Sequence, residues 1–185
     1  MPPAPAAGRD ELMRLLVNAL LYQSIWLLCI LAGDKGAIAG IFVLLLHLAI
    51  TDRRMDDLKM MAFLLFIGLL VDGTLHQVGF FTFTISGFPI PFWLMVIWLG
   101  LAITPHHSLA WLKNRPLLSL LFGALGGPLA YWAGVRLGAA SFNLQPLYSL
   151  FVLALVWGIL WPAVMLFATV QMKERDTEHY PVDDQ

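Results

Sequence analysis

Six runs of apolar residues, separated by short polar segments, dominate the chain. They are Leu15–Ala32, Gly36–Thr51, Met60–Phe81, Phe88–Thr104, Leu117–Gly138 and Leu147–Val170. A helix needs about 17–25 apolar residues to cross the hydrocarbon core of a membrane, and most of the runs fit that length. The second run is the shortest, and a re-entrant segment is the alternative for it. The pattern predicts an all-α, polytopic transmembrane bundle of six helices.

The positive charges predict how this bundle is oriented. With a cytoplasmic N-terminus and six crossings, only Lys35 and Arg136 fall on the outer side, and all other Lys and Arg residues fall inside. Cytoplasmic loops collect Lys and Arg, so both termini are predicted in the cytoplasm. We expect a disordered cytoplasmic N-terminus over residues 1–14, a six-helix domain over residues 15–171 and a cytoplasmic tail over residues 172–185.

The composition agrees with a membrane protein and excludes several function classes. Hydrophobic residues make up 59% of the chain and charged residues 12%. A soluble fold could not cover so much apolar surface with so few charges. The net charge of −1 gives no basic field, so no nucleic-acid partner is expected. The single cysteine, Cys29, allows no intrachain disulfide.

One acid, Asp72, lies inside an apolar run. It is about 20 Å along the third span from Lys59, in the predicted outer half of the membrane. An ionisable group in hydrocarbon costs about 2.5–3.5 kcal/mol on insertion scales, so it is compensated or functional. His76 follows four residues later on the same helix face. Two interpretations stay open: an acid–base pair that contacts a ligand, or a polar pair that locks helices together.

A second polar layer lies nearer the cytoplasm. Asn18 and His47 are at similar depth and could hydrogen-bond across the first two spans, and Gln23 is at mid-depth. These three are candidate ligand-binding residues, with helix packing as the alternative. His47 is about 10 Å along the axis from Asp72, which is too far for one ion shared with His76, so no metal or other cofactor is predicted.

Two adjacent histidines, His106 and His107, follow Pro105 at the inner end of the fourth span. Adjacent residues on a helix point in different directions. We therefore predict a solvated pair at the membrane surface rather than a ligand site.

The fifth span combines small residues with a proline. Gly126, Ala130 and Gly134 recur every four residues, a spacing that lets two helices approach closely or forms a homodimer face. Pro128 lacks an N–H and is expected to kink the helix at the depth of Asp72. Broken helices with free carbonyls build binding sites in membrane proteins, so Pro128 and Tyr131 are candidate ligand-binding residues.

Aromatic residues offer walls for an apolar cavity. Trp98 lies in the middle of the fourth span, and Trp157 and Trp161 lie four residues apart in the sixth. They either line a cavity shaped for a lipid or isoprenoid chain or pack in the core. The uncharged outer loop Thr82–Pro91 either covers such a cavity or lies along the membrane surface.

Four stretches resemble an uncharacterised family of small bacterial inner-membrane proteins, domain-of-unknown-function family 2878. They are Asn18 through Trp26, Asp72 through Gly79, Pro91 through Trp98 followed by Ser108-Leu109, and Gly123 through Gly138, which contains Gly127-Pro128-Leu129-Ala130-Tyr131. The resemblance implies location in a bacterial inner membrane and no assigned activity. It also implies a lipid-linked role beside a lipid-modifying enzyme.

Three functions compete on these observations. The first is a lipid-linked binding or accessory protein whose polar intramembrane site surrounds Asp72 and His76, with membrane lipid as its ligand. The second is a membrane enzyme in which Asp72 and His76 are the catalytic acid–base pair acting on a lipid. The third is a small proton-coupled transporter. No nucleophile motif is visible, which favours the first function and leaves enzymatic activity open.

Overall fold

The computed structural model describes residues 6–179 of the chain, with side chains from residue 8 to residue 175. The helices are α1 (Ala6–Ile50), α2 (Arg54–Gln77), α3 (Phe92–Leu101), α4 (Pro116–Arg136) and α5 (Pro146–His179), with a short 3₁₀ helix at Ala110–Leu112. Two strands, β1 (Phe81–Phe83) and β2 (Ala140–Phe142), follow α2 and α4.

The long helix α1 consists of two helical segments joined at Gly33, which has a φ of 55° and a ψ of −132°. Glycine reaches this region without steric strain because it has no side chain. Gly36 lies against the main chain of Leu28, and Gly40 lies against Ile25, so the chain folds back on itself. We call residues 6–32 the first arm and residues 34–50 the second arm. These arms correspond to the first two predicted spans.

Four helices in the described part of the chain are long and apolar enough to cross a membrane. They are Gly8–Ile50, Arg54–Gln77, Pro116–Arg136 and Pro146–Arg175. Many large apolar side chains on them point outward, for example Phe66, Leu125 and Ile159. A soluble protein rarely exposes so much apolar surface. The prediction of a polytopic helical membrane protein is confirmed at this level, whereas six separate helices are not observed.

The fourth predicted span, Phe88–Thr104, is wrong in its length, because α3 covers only Phe92–Leu101. Pro89 and Pro91 lack the N–H groups of a helix and restrict the residues before them, so the helix begins after Pro91. Pro105 likewise disfavours helical geometry at Thr104. Ten residues extend about 15 Å, half of a hydrocarbon core of about 30 Å.

The short helix α3 lies in the interior of the bundle. Most of its side chains are buried, among them Trp93, Val96 and Trp98, and it packs against α1 and α2. Non-helical backbone at membrane depth is tolerated where protein surrounds it. This position explains how a helix too short to span by itself belongs to the membrane domain.

A small antiparallel sheet corrects the all-α prediction. Strand β1 pairs with β2 in the register Phe81↔Phe142, Thr82↔Ser141 and Phe83↔Ala140. The third predicted span therefore ends at Gln77, and Phe81 belongs to the sheet. This sheet connects the chain that follows α2 to the chain that follows α4, at one end of the bundle.

The helices pack in two groups. One group is α1 with α3 and α2, and the other is α4 with α5. The backbones of α4 and α5 approach closely because Gly123 and Gly127 leave room for Trp157: a Cβ atom at either glycine would lie 2.2 Å from Trp157 atoms. One row of small residues on α4, Gly123 and Gly127, therefore packs against α5 within the chain. The other row, Gly126 and Gly134, faces a seam between the two groups of helices.

The terminal segments are more helical than the sequence predicts. Helix α1 already begins at Ala6, so residues 6–14 are helical rather than disordered. Helix α5 continues to His179, into the predicted tail over residues 172–185. Residues 1–5 and 180–185 lie outside the described residues.

Substituting Gly36→Ala is expected to destabilise the fold by about 1–3 kcal/mol or more, because the new Cβ atom would lie 1.8 Å from the Leu28 carbonyl oxygen. Unfolding in detergent, followed by circular dichroism, measures the change. The matched control is Gly126→Ala, where the added Cβ atom meets only Phe122, at 3.9 Å. Because alanine favours helices over glycine, the control should be neutral or stabilising. Equal stability of the two variants would contradict the tight turn at Gly33.

Candidate functional site

A cavity of about 450 Å³ lies in the seam between the two helix groups. Its walls come from the first arm of α1, from α3, α4 and α5, and from both strands. The lining is apolar and rich in aromatic rings, and it includes Tyr22, Trp26, Phe81, Phe83, Trp93, Trp98, Tyr131, Trp157 and Trp161. This volume lies within the range of about 300–1,000 Å³ that is usual for ligand pockets.

The buried acid Asp72 holds two of the cavity-lining side chains. Trp98 donates its indole N–H to Asp72 Oδ2 at 2.8 Å, and Tyr131 donates its hydroxyl to Oδ1. Asp72 itself is completely buried and does not line the cavity. The carboxyl group therefore lies behind the wall and joins α2 to α3 and α4. The indole of Trp98 also stacks on Trp157 with ring centroids 5.2 Å apart.

The predicted pairing of Asp72 with His76 is not what the structure shows. His76 Nδ1 is 3.2 Å from the Phe81 carbonyl oxygen, and its ring lies 5.0 Å from that of Phe83. The i, i+4 spacing places the two residues on one side of α2, but Asp72 is engaged by neighbouring helices and His76 by β1. Neither residue lines the cavity.

The proline of the fifth predicted span lies close to the cavity. Pro128 is buried within α4, which continues as a helix through it, and Tyr131 is three residues further on. Gly126, Ala130 and Gly134 line the cavity and leave room between the larger α4 side chains that also line it, Phe122, Leu129, Tyr131 and Val135. The sequence offers this small-residue face for a homodimer; in the structure it is divided between α5 and the cavity.

The first arm brings Gln23 to the cavity but directs Asn18 elsewhere. Gln23 is among the lining residues. Asn18 donates to the Ile103 carbonyl oxygen at 3.0 Å and accepts from the Ser108 hydroxyl at 2.6 Å. The hydrogen bond predicted between Asn18 and His47 is therefore wrong, because Asn18 fixes the chain that leaves α3.

His47 belongs to a separate polar cluster at the end of the bundle opposite to the sheet. Its Nε2 lies 2.9 Å from Asp57 Oδ2, and His107 Nε2 lies 3.0 Å from the same oxygen. The Thr51 hydroxyl donates to that oxygen at 3.1 Å. Asp57 is completely buried. We call His47, Asp57 and His107 the end triad, and their ligand atoms all lie within 4.8 Å of one another.

A second histidine at this end forms its own chain of hydrogen bonds. Lys113 donates to His106 Nδ1 at 3.0 Å, and His106 Nε2 lies 2.9 Å from Gln171 Oε1. His106, Lys113 and Gln171 are buried, and they link the loop after α3 to the end of α5. The prediction of a solvated His106-His107 pair is therefore wrong, because both rings are packed against other segments.

The surroundings of His106 and Lys113 lower the pKa of both groups. Burial lowers the pKa of His106 below its usual 6.5, and the charge of Lys113 lowers it further. Burial also lowers the pKa of Lys113 to about 8, and Arg53 adds to that effect. The arrangement fits a neutral His106 that accepts a hydrogen bond from Lys113 at Nδ1 and donates one to Gln171 from Nε2.

We expect the stability of the protein to fall as the pH is lowered through the region below 6.5. In the unfolded chain His106 binds a proton near pH 6.5, whereas in the folded chain its pKa is lower. Below pH 6.5 the unfolded state therefore binds more protons than the folded state, so acid favours unfolding. The measurement is the melting temperature of wild type and His106→Gln from pH 5 to pH 8. The wild type should lose more stability than the variant in acid; parallel curves would contradict this assignment.

Sequence reasoning missed Asp57 and His107 as members of a polar cluster. The signal was present: two acids, Asp56 and Asp57, stand at the start of the third span, and two histidines stand at the end of the fourth. The histidines were predicted to be a solvated pair, and no role was predicted for the two acids. Burial by the surrounding loops could not be read from spacing.

The chain matches, over residues 15–163, the family described as "Protein of unknown function (DUF2878)", and it belongs to that family. The family resemblance of the four sequence stretches is thereby confirmed. No curated protein and no solved structure matches the chain.

Proposed function

We propose that this member of the domain-of-unknown-function family 2878 binds a membrane lipid and holds its apolar chain in the seam cavity. The observation that carries the proposal is the cavity itself: about 450 Å³, walled by aromatic rings and by the glycine face of α4. An acyl or isoprenoid chain matches such walls because they offer dispersion contacts and few hydrogen bonds.

The polar groups around the cavity support a chain-binding role. Tyr131 and Trp98 line it, but their hydrogen-bond donors are directed to Asp72. Their rings are therefore fixed in position, and their polar atoms are satisfied away from a ligand. Rigid aromatic side chains lose little conformational entropy when a ligand binds. In this proposal Asp72 is a positioning residue, and Gln23 offers a polar contact on the first arm.

The acid–base alternative has less physical support in this arrangement. A catalytic pair must reach the reacting atoms, and Asp72 and His76 both lie outside the cavity lining. Asp72 accepts two hydrogen bonds from protein groups, and His76 contacts the Phe81 carbonyl oxygen. In a proton-coupled transporter, Asp72 would contact the pathway of the proton. Asp72 is buried outside the cavity lining, and this position argues against that role.

The contacts at the two ends of the bundle support six membrane crossings. One end gathers Asn18, His47, Asp57, His106 and Gln171, and the other gathers Asp34, Phe81, Trp93 and Phe142. Each arm of α1 and each of α2, α4 and α5 therefore runs from one end to the other. The short helix α3 does so together with its flanking segments. The excess of Lys and Arg at the first end favours a cytoplasmic position for it and for both termini.

The setting that we propose follows from this topology and from the family resemblance. The protein lies in a bacterial inner membrane as a multi-pass protein. It acts as a binding or accessory protein beside a lipid-modifying enzyme, and it presents the bound chain to that partner. Trp157 covers part of the small-residue face of α4, so a homodimer would have to use another surface.

Native mass spectrometry of the purified protein tests the binding proposal. We expect lipid to remain bound after exchange into a delipidating detergent, at about one molecule for each chain. Asp72→Asn should retain clearly less lipid, because the amide offers one acceptor oxygen in place of two to the donors of Trp98 and Tyr131, so the wall loses its fixed geometry.

The control is Asp52→Asn, an exposed acid between α1 and α2. It should retain lipid like the wild type. The proposal would be contradicted if the wild-type protein carried no more lipid than detergent micelles without protein. It would also be contradicted if Asp72→Asn retained as much lipid as the wild type.

A further inference from the structure

We propose that the end triad is a binding site for a divalent first-row transition metal ion, with Zn²⁺ as the representative. Its ligands are the imidazoles of His47 and His107 and the carboxylate of Asp57. This inference is independent of the lipid proposal, because the end triad lies at the opposite end of α2 from Asp72. The two acids are separated by about 22 Å along the helix.

Three separate segments bring the donor atoms together. His47 comes from the last turn of the second arm, Asp57 from the first turn of α2, and His107 from the loop after α3. Side chains on two consecutive helices and a distant loop do not converge on one oxygen through helical spacing alone. The convergence is a tertiary feature, as is usual for metal sites.

The distances between the donor atoms, measured without an ion, are close to those of a zinc site. The two Nε2 atoms lie 2.9 Å and 3.0 Å from Asp57 Oδ2. In a tetrahedral zinc site with bonds of about 2.0–2.1 Å, neighbouring donor atoms are about 3.3 Å apart. Each Nε2 atom would therefore move away from Oδ2 by only a few tenths of an ångström to admit an ion, and all the donor atoms lie within 4.8 Å of one another. The rings already stand edge to face, with centroids 5.1 Å apart.

The charge and burial of the site also favour a cation. Asp57 is completely buried, while the neighbouring Asp56 is engaged by Arg175 at 3.1 Å. The carboxylate of Asp57 is therefore the negative charge available to an ion. A buried charge needs compensation, and a bound metal ion supplies it more fully than hydrogen bonds alone do.

The donor set determines the class of metal. Two imidazoles and one carboxylate suit Zn²⁺ and other first-row ions, and they disfavour Ca²⁺ and Mg²⁺, which prefer all-oxygen sites. Three protein ligands leave a fourth position for water, or for the Thr51 hydroxyl, which already donates to Asp57 at 3.1 Å. His107 is partly exposed, so an ion has a route from that side of the bundle.

Titration of the metal-stripped, full-length protein with Zn²⁺ and Co²⁺ tests the inference. We expect one ion per chain by calorimetry and by elemental analysis after desalting. Bound Co²⁺ should give the intense visible absorption of a four-coordinate site. Asp57→Asn and His107→Ala should each weaken binding at least roughly tenfold, as the loss of one ligand implies.

The matched control is His76→Ala, which removes a histidine at the far end of α2 and should bind the ion like the wild type. The Co²⁺ spectrum of the wild type is a readout that does not depend on comparing stabilities. An aqueous cobalt spectrum in the wild type, or binding unchanged in Asp57→Asn and His107→Ala, would overturn the inference.

Discussion

Replacing Gly126 with phenylalanine is expected to leave the protein folded while removing most of its bound lipid. Gly126 lines the cavity, and a Cβ atom built on it meets only Phe122, at 3.9 Å. The new ring therefore has space, and that space is the volume assigned to the lipid chain. Overlap of one ring with a packed chain costs about 1–3 kcal/mol, which lowers retention roughly 5- to 150-fold.

The matched control for this variant is Leu125→Phe on the adjacent position of α4. Leu125 is 64% exposed and faces away from the cavity, so the same ring is added to the outer surface. Lipid retention is measured by native mass spectrometry, and folding is measured by thermal unfolding in the same detergent. Lipid loss in Leu125→Phe equal to that in Gly126→Phe would contradict an internal chain-binding cavity.

Truncating Asp72 to alanine is expected to produce the largest loss of stability among single substitutions at the cavity wall. It leaves the Tyr131 hydroxyl and the Trp98 N–H buried without their acceptor. Each unsatisfied buried donor costs about 1–3 kcal/mol, so the free energy of unfolding should fall by about 2–6 kcal/mol. Reversible denaturation in mixed micelles measures the change.

Two further variants separate this network from a general effect of removing an acid. Tyr131→Phe removes one donor and leaves Trp98 bonded, so it should cost less than Asp72→Ala. Asp52→Ala removes an exposed carboxylate and should change the unfolding free energy by less than about 0.5 kcal/mol. If Asp72→Ala were as mild as Asp52→Ala, the carboxyl group would not be holding the wall together.

The combination of Asp72 with the fifth predicted span could be derived from the sequence. Helical rise placed Asp72 at the depth of Pro128, and an isolated acid in hydrocarbon needs a partner. The observed partner, Tyr131, is one helical turn beyond Pro128. Trp98 could be identified only as an indole in need of an acceptor. Its pairing with Asp72 depends on how α3 packs against α2, where Gly68 leaves room for the Trp98 ring.

The end triad could not be derived because it depends on where chain segments end. His47 is predicted in the second span, whereas its partner Asp57 lies between the second and third predicted spans, where the apolar pattern gives no indication of burial. A short connection between the second arm and α2 brings the two together, and the truncated α3 returns His107 to the same place. The length of the apolar run predicted a longer fourth helix, but prolines at both ends of the run shorten it.

The small sheet also lay beyond prediction from apolar patterns. Phe81 and Phe83 stand in an uncharged, aromatic segment that continues the third apolar run without a clear break. Their pairing with Phe142 and Ala140 is a contact between segments far apart in sequence. In the structure both phenylalanines line the cavity, so strand β1 forms part of one of its walls.

Photo-crosslinking in vesicles tests whether a lipid chain lies inside the seam cavity. The protein is reconstituted in phosphatidylethanolamine and phosphatidylglycerol vesicles that contain a phospholipid with a diazirine near the end of one acyl chain. After irradiation, labelled residues are located by tandem mass spectrometry. We expect labels on cavity-lining residues such as Ala130, Trp157 and Trp161. Labels confined to outward-facing residues such as Phe66 and Leu166 would contradict it.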